Sequence, residues 1–182
     1  EGVFGAVNKV ISTKELIDKR TLSNLKIDSL ILGYHENECK IVKDLKYADE
    51  IDYIVRHKPR LFFVNKLLSP LKGNTLVLYQ FVEKHGKPLY DLILNTYKDR
   101  KVFFVSGDVD ALTREKIRAI TEKSSNAIIV ASYGTFSTGI NIKNLHNIIF
   151  SSPSKSKIRV LQSIGRGLRL GDNKNECKLF DI

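Results

Sequence analysis

The stretch LQSIGRGLRLGD (161–172) places Gln162, Arg166 and Arg169 at spacings of four and three. At 100° per residue the three side chains fall within about 60° of one another on a helix, and Leu161, Ile164 and Leu168 gather on a different side. One face is expected in the core and the other forms a polar claw. A guanidinium keeps its charge and offers oxyanions a planar fork, so two of them beside a glutamine suit a phosphate chain. A solvated basic face would use the same residues. Glycines at 165 and 167 speak for the ligand, because each weakens a helix by about 1 kcal/mol unless a ligand or another backbone must come close. Gly165, Gly167 and Gly171 also approach the dinucleotide fingerprint, but that loop directly follows a strand, whereas these glycines interrupt a helical pattern.

Such a claw must be carried by a frame, and the sequence supplies one. Five short apolar runs, TLVLYQF (75–81), KVFFVS (101–106), AIIVAS (127–132), NIIFSS (147–152) and CKLFDI (177–182), read as strands covered on both faces, the habit of parallel sheets. Helical stretches lie between them. KPLYDLILNTYKD carries Pro88 in a first turn, LTREKIRAITEK begins with Thr113 as expected N-cap, and SKSKIRVLQSIGRGLR brings the claw. Strands alternating with helices predict an α/β fold with an open, mostly parallel sheet and helices on both faces. Ligands of such sheets bind at the carboxyl ends of the strands.

Residues 1–70 differ and are expected to form a lead-in segment packing on a core of residues 71–182. STKELIDKRTLSNL reads as a helix opened by a capping box of Ser12 and Glu15. DSLILGYH reads as a strand, with YADEIDYIVRH and PRLFFVNKLL as helices separated by Pro59. The last strand stops at Ile182 with no closing element, so a fragment of a longer protein is expected.

Thirty Lys and Arg against twenty Asp and Glu leave a formal charge of +10 in 182 residues, which suits a polyanionic partner such as nucleic acid. A merely basic surface is the plainer alternative. No apolar run approaches the roughly 20 residues that cross a bilayer, so no membrane is expected. Cys39 and Cys177 stand far apart, and His35, His57, His85 and His146 share no ligand spacing, which leaves no metal site and a reduced, cytoplasmic setting.

QSIGRGLR resembles motif VI, QxxGRxxR, of superfamily 2 helicases and translocases. IIVASYGTFSTGINIKNLHNIIF (128–150) is similar to their motif V and NTLVLYQFVEKHGKPLYDLI to motif IV, and FFVSGDVDALTREKIRAI matches the segment between them. Together, over about residues 73–182, they resemble the second RecA-like domain of the helicase core. EGVFGAVNKVISTKELID looks like the bridge from the first core domain, and the wording is most similar to phage recombination and repair helicases.

The resemblance implies roles position by position. Arg166 and Arg169 would meet the γ-phosphate of ATP, one as an arginine finger, with Gln162 hydrogen-bonding the same region. Gly139 and Asn141 would approach the ribose, although many relatives carry Asp where Asn141 stands. Nucleic acid would be gripped through sugar and phosphate by Gln80, Phe81, Lys84, Ser106, Gly107, Arg114 and Ser132.

The sequence contains neither GxxxxGK[ST] nor a DExx-type strand end, so the phosphate cradle and the Mg²⁺ ligands are expected in a first RecA-like domain outside this chain. The segment alone is expected to be inactive. Joined to its partner domain it would drive an ATP-dependent DNA helicase acting on branched or single-stranded DNA, in the host cytoplasm if phage-encoded. The competing reading is a non-catalytic basic module that binds nucleic acid.

Overall fold

The structure is a computed structural model that describes residues 12–135, 142–154, 156, 163–171 and 174–182. Its frame is a six-stranded sheet with every pairing parallel, in the order β1-β6-β5-β2-β4-β3. The strands are β1 (Asn24–Ser29), β2 (Thr75–Tyr79), β3 (Val102–Val105), β4 (Ile128–Ser132), β5 (Asn147–Phe150) and β6 (Glu176–Asp181). The helices are α1 (Thr13–Asp18), α2 (Glu36–Val42), α3 (Tyr47–Arg56), α4 (Lys58–Leu67), α5 (Lys87–Thr96) and α6 (Ala111–Glu122), with a π-helical turn at Val82–Gly86 leading into α5.

The continuous apolar runs sit where both faces are covered. Every residue of β2 and β5 is buried, as is β4 up to Ala131. Their side chains alternate between two cores. Leu76, Leu78, Ile129, Ala131, Ile148 and Phe150 face Ile117 of α6 and Ile164. Val77, Tyr79, Ile128, Val130 and Ile149 face Val64, Leu68, Leu89 and Ile93, which come from α4, the residue just beyond it, and α5. Full cover does not extend to the flank: β6 alternates exposed and buried residues, and the edge strand β1 is largely open.

Several elements differ from the sequence expectation. The early strand covers Asn24–Ser29 rather than 28–35, because strand β1 is defined by its partner: it pairs along β6 from Asn24↔Glu176 to Ser29↔Asp181. Past Ser29 no residue pairs with β6 in register, and Ile31 is 96% exposed. Helix α1 has both bonds of the Ser12/Glu15 capping box but stops at Asp18. Arg20 then takes a left-handed φ of 55°, which turns the chain toward β1. The N-cap of α6 is Asp110, not Thr113. The Thr113 N–H donates to the Asp110 carboxylate at 2.9 Å, and a carboxylate cap accepts this bond while also opposing the positive end of the helix. Pro59 and Pro88 stand in the first turns of α4 and α5.

Buried polar groups fix the amino-terminal ends of the strands. The Asn74 side-chain amide donates to the carbonyls of Thr121, Ser124 and Asn144 and accepts from the Ala127 N–H. Arg100 donates to the carbonyls of Leu68, Leu71, Gly73 and Asn126. Each replaces the water that these loop carbonyls would otherwise need.

Candidate functional site

The carboxyl edge of the sheet brings together residues far apart in sequence. Tyr79 lies opposite Ser132 and Val105 opposite Ala131, so Gln80, Ser132 and Ser106 emerge side by side from β2, β4 and β3. The Ser132 hydroxyl accepts the Thr135 N–H at 3.1 Å and shares a 2.7 Å bond with the Thr135 hydroxyl, which starts the helical turn at 133–135.

Beneath this edge lies a histidine that sequence reading left unassigned. His85 is 1% exposed and accepts the Gln80 backbone N–H at Nδ1, so its ring proton sits on Nε2, 3.2 Å from the Ser151 hydroxyl. Ser151 in turn donates to the Leu78 carbonyl at 2.6 Å. Burial, aided by the positive charge of Arg60, pushes the His85 pKa down to about 3. The ring is therefore a neutral spacer that holds the end of β2 against β5. Gly86 completes the turn, since a Cβ there would lie 2.6 Å from the Tyr79 ring.

The two basic residues expected at this edge serve its shape. The Lys84 ammonium pairs with Asp52 and lies 4.0 Å above the Phe81 ring centroid. Arg114 donates from Nε to the Val109 carbonyl at 2.6 Å and from Nη2 to the Gly107 carbonyl at 3.0 Å, closing the loop after β3. Gly107 itself is exposed and Ser106 is buried.

The arginine helix is described from Ser163 and shows the expected sidedness. Leu168 is buried and Ile164 packs on the core, while Arg166 and Arg169 are half-exposed. The two glycines have different reasons. A Cβ on Gly167 would meet Ile148 at 2.6 Å and the Cys177 sulfur at 2.9 Å, so this glycine lets the helix rest on β5 and β6. A Cβ on Gly165 would meet nothing within 4 Å. Partial burial lowers the Arg166 pKa, and the like charge of Arg169 lowers it further. A negative charge placed beside the pair would favour the protonated forms and oppose both effects. The end of this helix faces the amino-terminal ends of β1, β5 and β6, where Ser23 and Lys174 bond its last carbonyls. Gln162, Gly139, Asn141 and Leu161 lie outside the described residues.

Among the described residues no group of three or more His, Cys, Asp or Glu could hold a metal ion, so these residues offer Mg²⁺ no ligand set. No helix among them is long and apolar enough to cross a membrane.

Residues 60–171 match the family described as helicase conserved C-terminal domain. The chain belongs to this family. It is 39% identical over 184 residues to the ATP-dependent DNA helicase uvsW of Enterobacteria phage T4, covering all of this chain and 36% of that protein. The crystal structure of T4 UvsW superposes with a TM-score of 0.73 over 88% of this chain and 33% of the other. The C-terminal domain of the DEAD-box protein Dbp5, 12% identical, shares the fold at a TM-score of 0.56 over 70% and 72% of the two chains. The chain thus spans about a third of the curated relative. The fold is that of a second RecA-like helicase domain.

Proposed function

We propose that this domain is the C-terminal half of an ATP-dependent DNA helicase or translocase that remodels branched DNA. ATP and its Mg²⁺ are held mainly by a first RecA-like domain, and closure of the two domains brings Arg166 and Arg169 onto the γ-phosphate. One of the pair stabilises charge as the phosphoryl group is transferred, and Gln162 hydrogen-bonds nearby. Gly139 and Asn141 approach the ribose. The observation that carries the reading is the half-buried juxtaposition of Arg166, in the helix, with Arg169, in the turn that ends it, where Gly167 rests the helix on β5 and β6.

The carboxyl edge forms part of the DNA track. Gln80, Phe81, Ser106, Gly107 and Ser132 contact sugar and phosphate, while Lys84 and Arg114 act through the loops they brace. Alternating closure of the cleft, with both domains holding one strand, moves the protein along DNA. The net charge of +10 favours such a polyanion and makes binding weaken as salt rises.

The test is ATP turnover by the chain joined to its first core domain, with and without forked DNA. DNA-stimulated turnover is expected, and Arg166→Ala or Arg169→Ala should reduce kcat by on the order of a thousandfold. Near-normal turnover in both variants would overturn the arginine assignment. No turnover in any form would leave a basic module that binds nucleic acid without using nucleotide.

A further inference from the structure

The last turn of the arginine helix is held in an unusual way. A helix end leaves carbonyls that water, a glycine motif or a nearby basic side chain normally satisfies. Here three successive carbonyls, of Gly167, Leu168 and Arg169, are taken by two buried side chains. Lys174, 2% exposed, donates from its ammonium to the carbonyls of Gly167 and Arg169, the latter at 2.9 Å, and reaches the Lys143 carbonyl at 3.5 Å. Ser23, 1% exposed, donates its backbone N–H to the Leu168 carbonyl at 2.8 Å. Its hydroxyl lies 2.9 Å from the same oxygen and 3.3 Å from those of Gly167 and Arg169.

Stability alone does not call for this arrangement. A buried ammonium is costly to desolvate, and among the described residues Lys174 forms no ion pair that would offset the cost. What the ammonium does supply is direction: three donors that converge only if the carbonyls of 143, 167 and 169 keep their relative places. The clamp is anchored in turn by the strands it precedes, since Ser23 stands immediately before β1 and Lys174 two residues before β6, and these two strands pair along their length.

We infer that Lys174 and Ser23 are positioning residues for the arginine pair, fixing the direction in which Arg166 and Arg169 project and tying that turn to the segment that enters β5. The inference rests on the placement of these arginines at the γ-phosphate. Neither clamp residue touches nucleotide. They act by holding the backbone from which the guanidinium groups extend.

The test uses the full-length protein and reads kcat and KM for ATP in the presence of DNA, with thermal melting as a check on folding. Lys174→Met, which fills the same space without donors, is expected to lower kcat between about tenfold and a hundredfold while KM changes by less than about twofold. Ser23→Ala removes only the hydroxyl and is expected to lower kcat in the same sense by a smaller factor. In an Arg166→Ala/Arg169→Ala background neither change should lower the residual kcat further, because both groups being positioned are gone. Unchanged kcat in both clamp variants, or losses that persist in full in that background, would overturn the inference and leave the arginine assignment standing. If Lys174→Met does not fold, Ser23→Ala alone and in that background decides the question. Normal turnover in Arg166→Ala and Arg169→Ala would instead sink the phosphate reading, and the positioning role with it.

Discussion

The carboxyl edge of β2, β4 and β3 and the arginine end over β5 and β6 are organised by opposite means. At the carboxyl edge the cations are committed to structure: Lys84 to Asp52 and Phe81, Arg114 to two loop carbonyls. What faces outward there is Gln80 and Gly107, with Ser132 half-buried. At the arginine end the structural work falls to Lys174 and Ser23, and Arg166 and Arg169 sit side by side, half-buried, with their like charges opposed. The lesson concerns basic residues in general. Net charge draws a polyanion, but a cation such as Lys84 or Arg114 can be held to a carboxylate or to carbonyls of the fold itself.

Acid should separate the two regions most strongly. His85 and Lys174 are both bases whose pKa is lowered by burial, so for each the unfolded chain binds the proton more readily. For Lys174 the stability is full above the ordinary lysine value and falls as the pH drops toward its lowered one. For His85 stability is full above the ordinary histidine value near 6.5 and falls as the pH drops toward about 3. Chemical denaturation from pH 7 to pH 4.5 should therefore show a loss of about 2–3 kcal/mol from this residue, and His85→Gln should flatten that limb. An unchanged acid limb in the variant would mean that the carboxyl edge does not rest on a neutral histidine.

Within the arginine helix the glycines give the next effect. Gly167→Ala should lose about 1–3 kcal/mol in urea unfolding, because its methyl must displace Ile148 or Cys177. Gly165→Ala, with open space at its Cβ, should be neutral or gain up to about 1 kcal/mol. Equal effects would show that the helix does not rest on β5 and β6 as described.

The smallest predicted effect concerns DNA. Arg114→Ala should weaken single-strand binding by loosening the loop at Gly107, yet leave the slope of log affinity against log salt unchanged. A direct phosphate contact would instead lower that slope by about 0.7. A titration at four or five salt concentrations distinguishes the two.

The sheet was legible in the sequence wherever a strand is covered on both faces. Runs such as TLVLYQF and NIIFSS can be read because full burial demands continuous apolarity, and β2 and β5 are indeed buried throughout. Strand β1 was misplaced by several residues, since its register depends on a partner at the other end of the sequence and its own pattern is weak. The seven-residue α2 was missed because none of its residues is buried, which leaves no apolar stripe to detect. The arginine face was readable from the 3.6-residue period. Lys174 was not, because a lysine that donates to backbone carbonyls leaves no partner in the sequence to reveal it, and the same holds for Arg60 and Arg100.

The pairing of β1 with β6 has a consequence for how the molecule comes into being. These are the first and last strands of the described sheet, and every other described strand is made between them. During synthesis Asn24 must wait, solvated and unpaired, until Glu176 has emerged, while β2 to β5 can already assemble into a sheet that lacks its flank. Loop closure over so long a span makes this pairing a slow and late event. Ser23 and Lys174 border the same two strands, so the arginine turn would take its final shape only after Lys174 and β6 have been made.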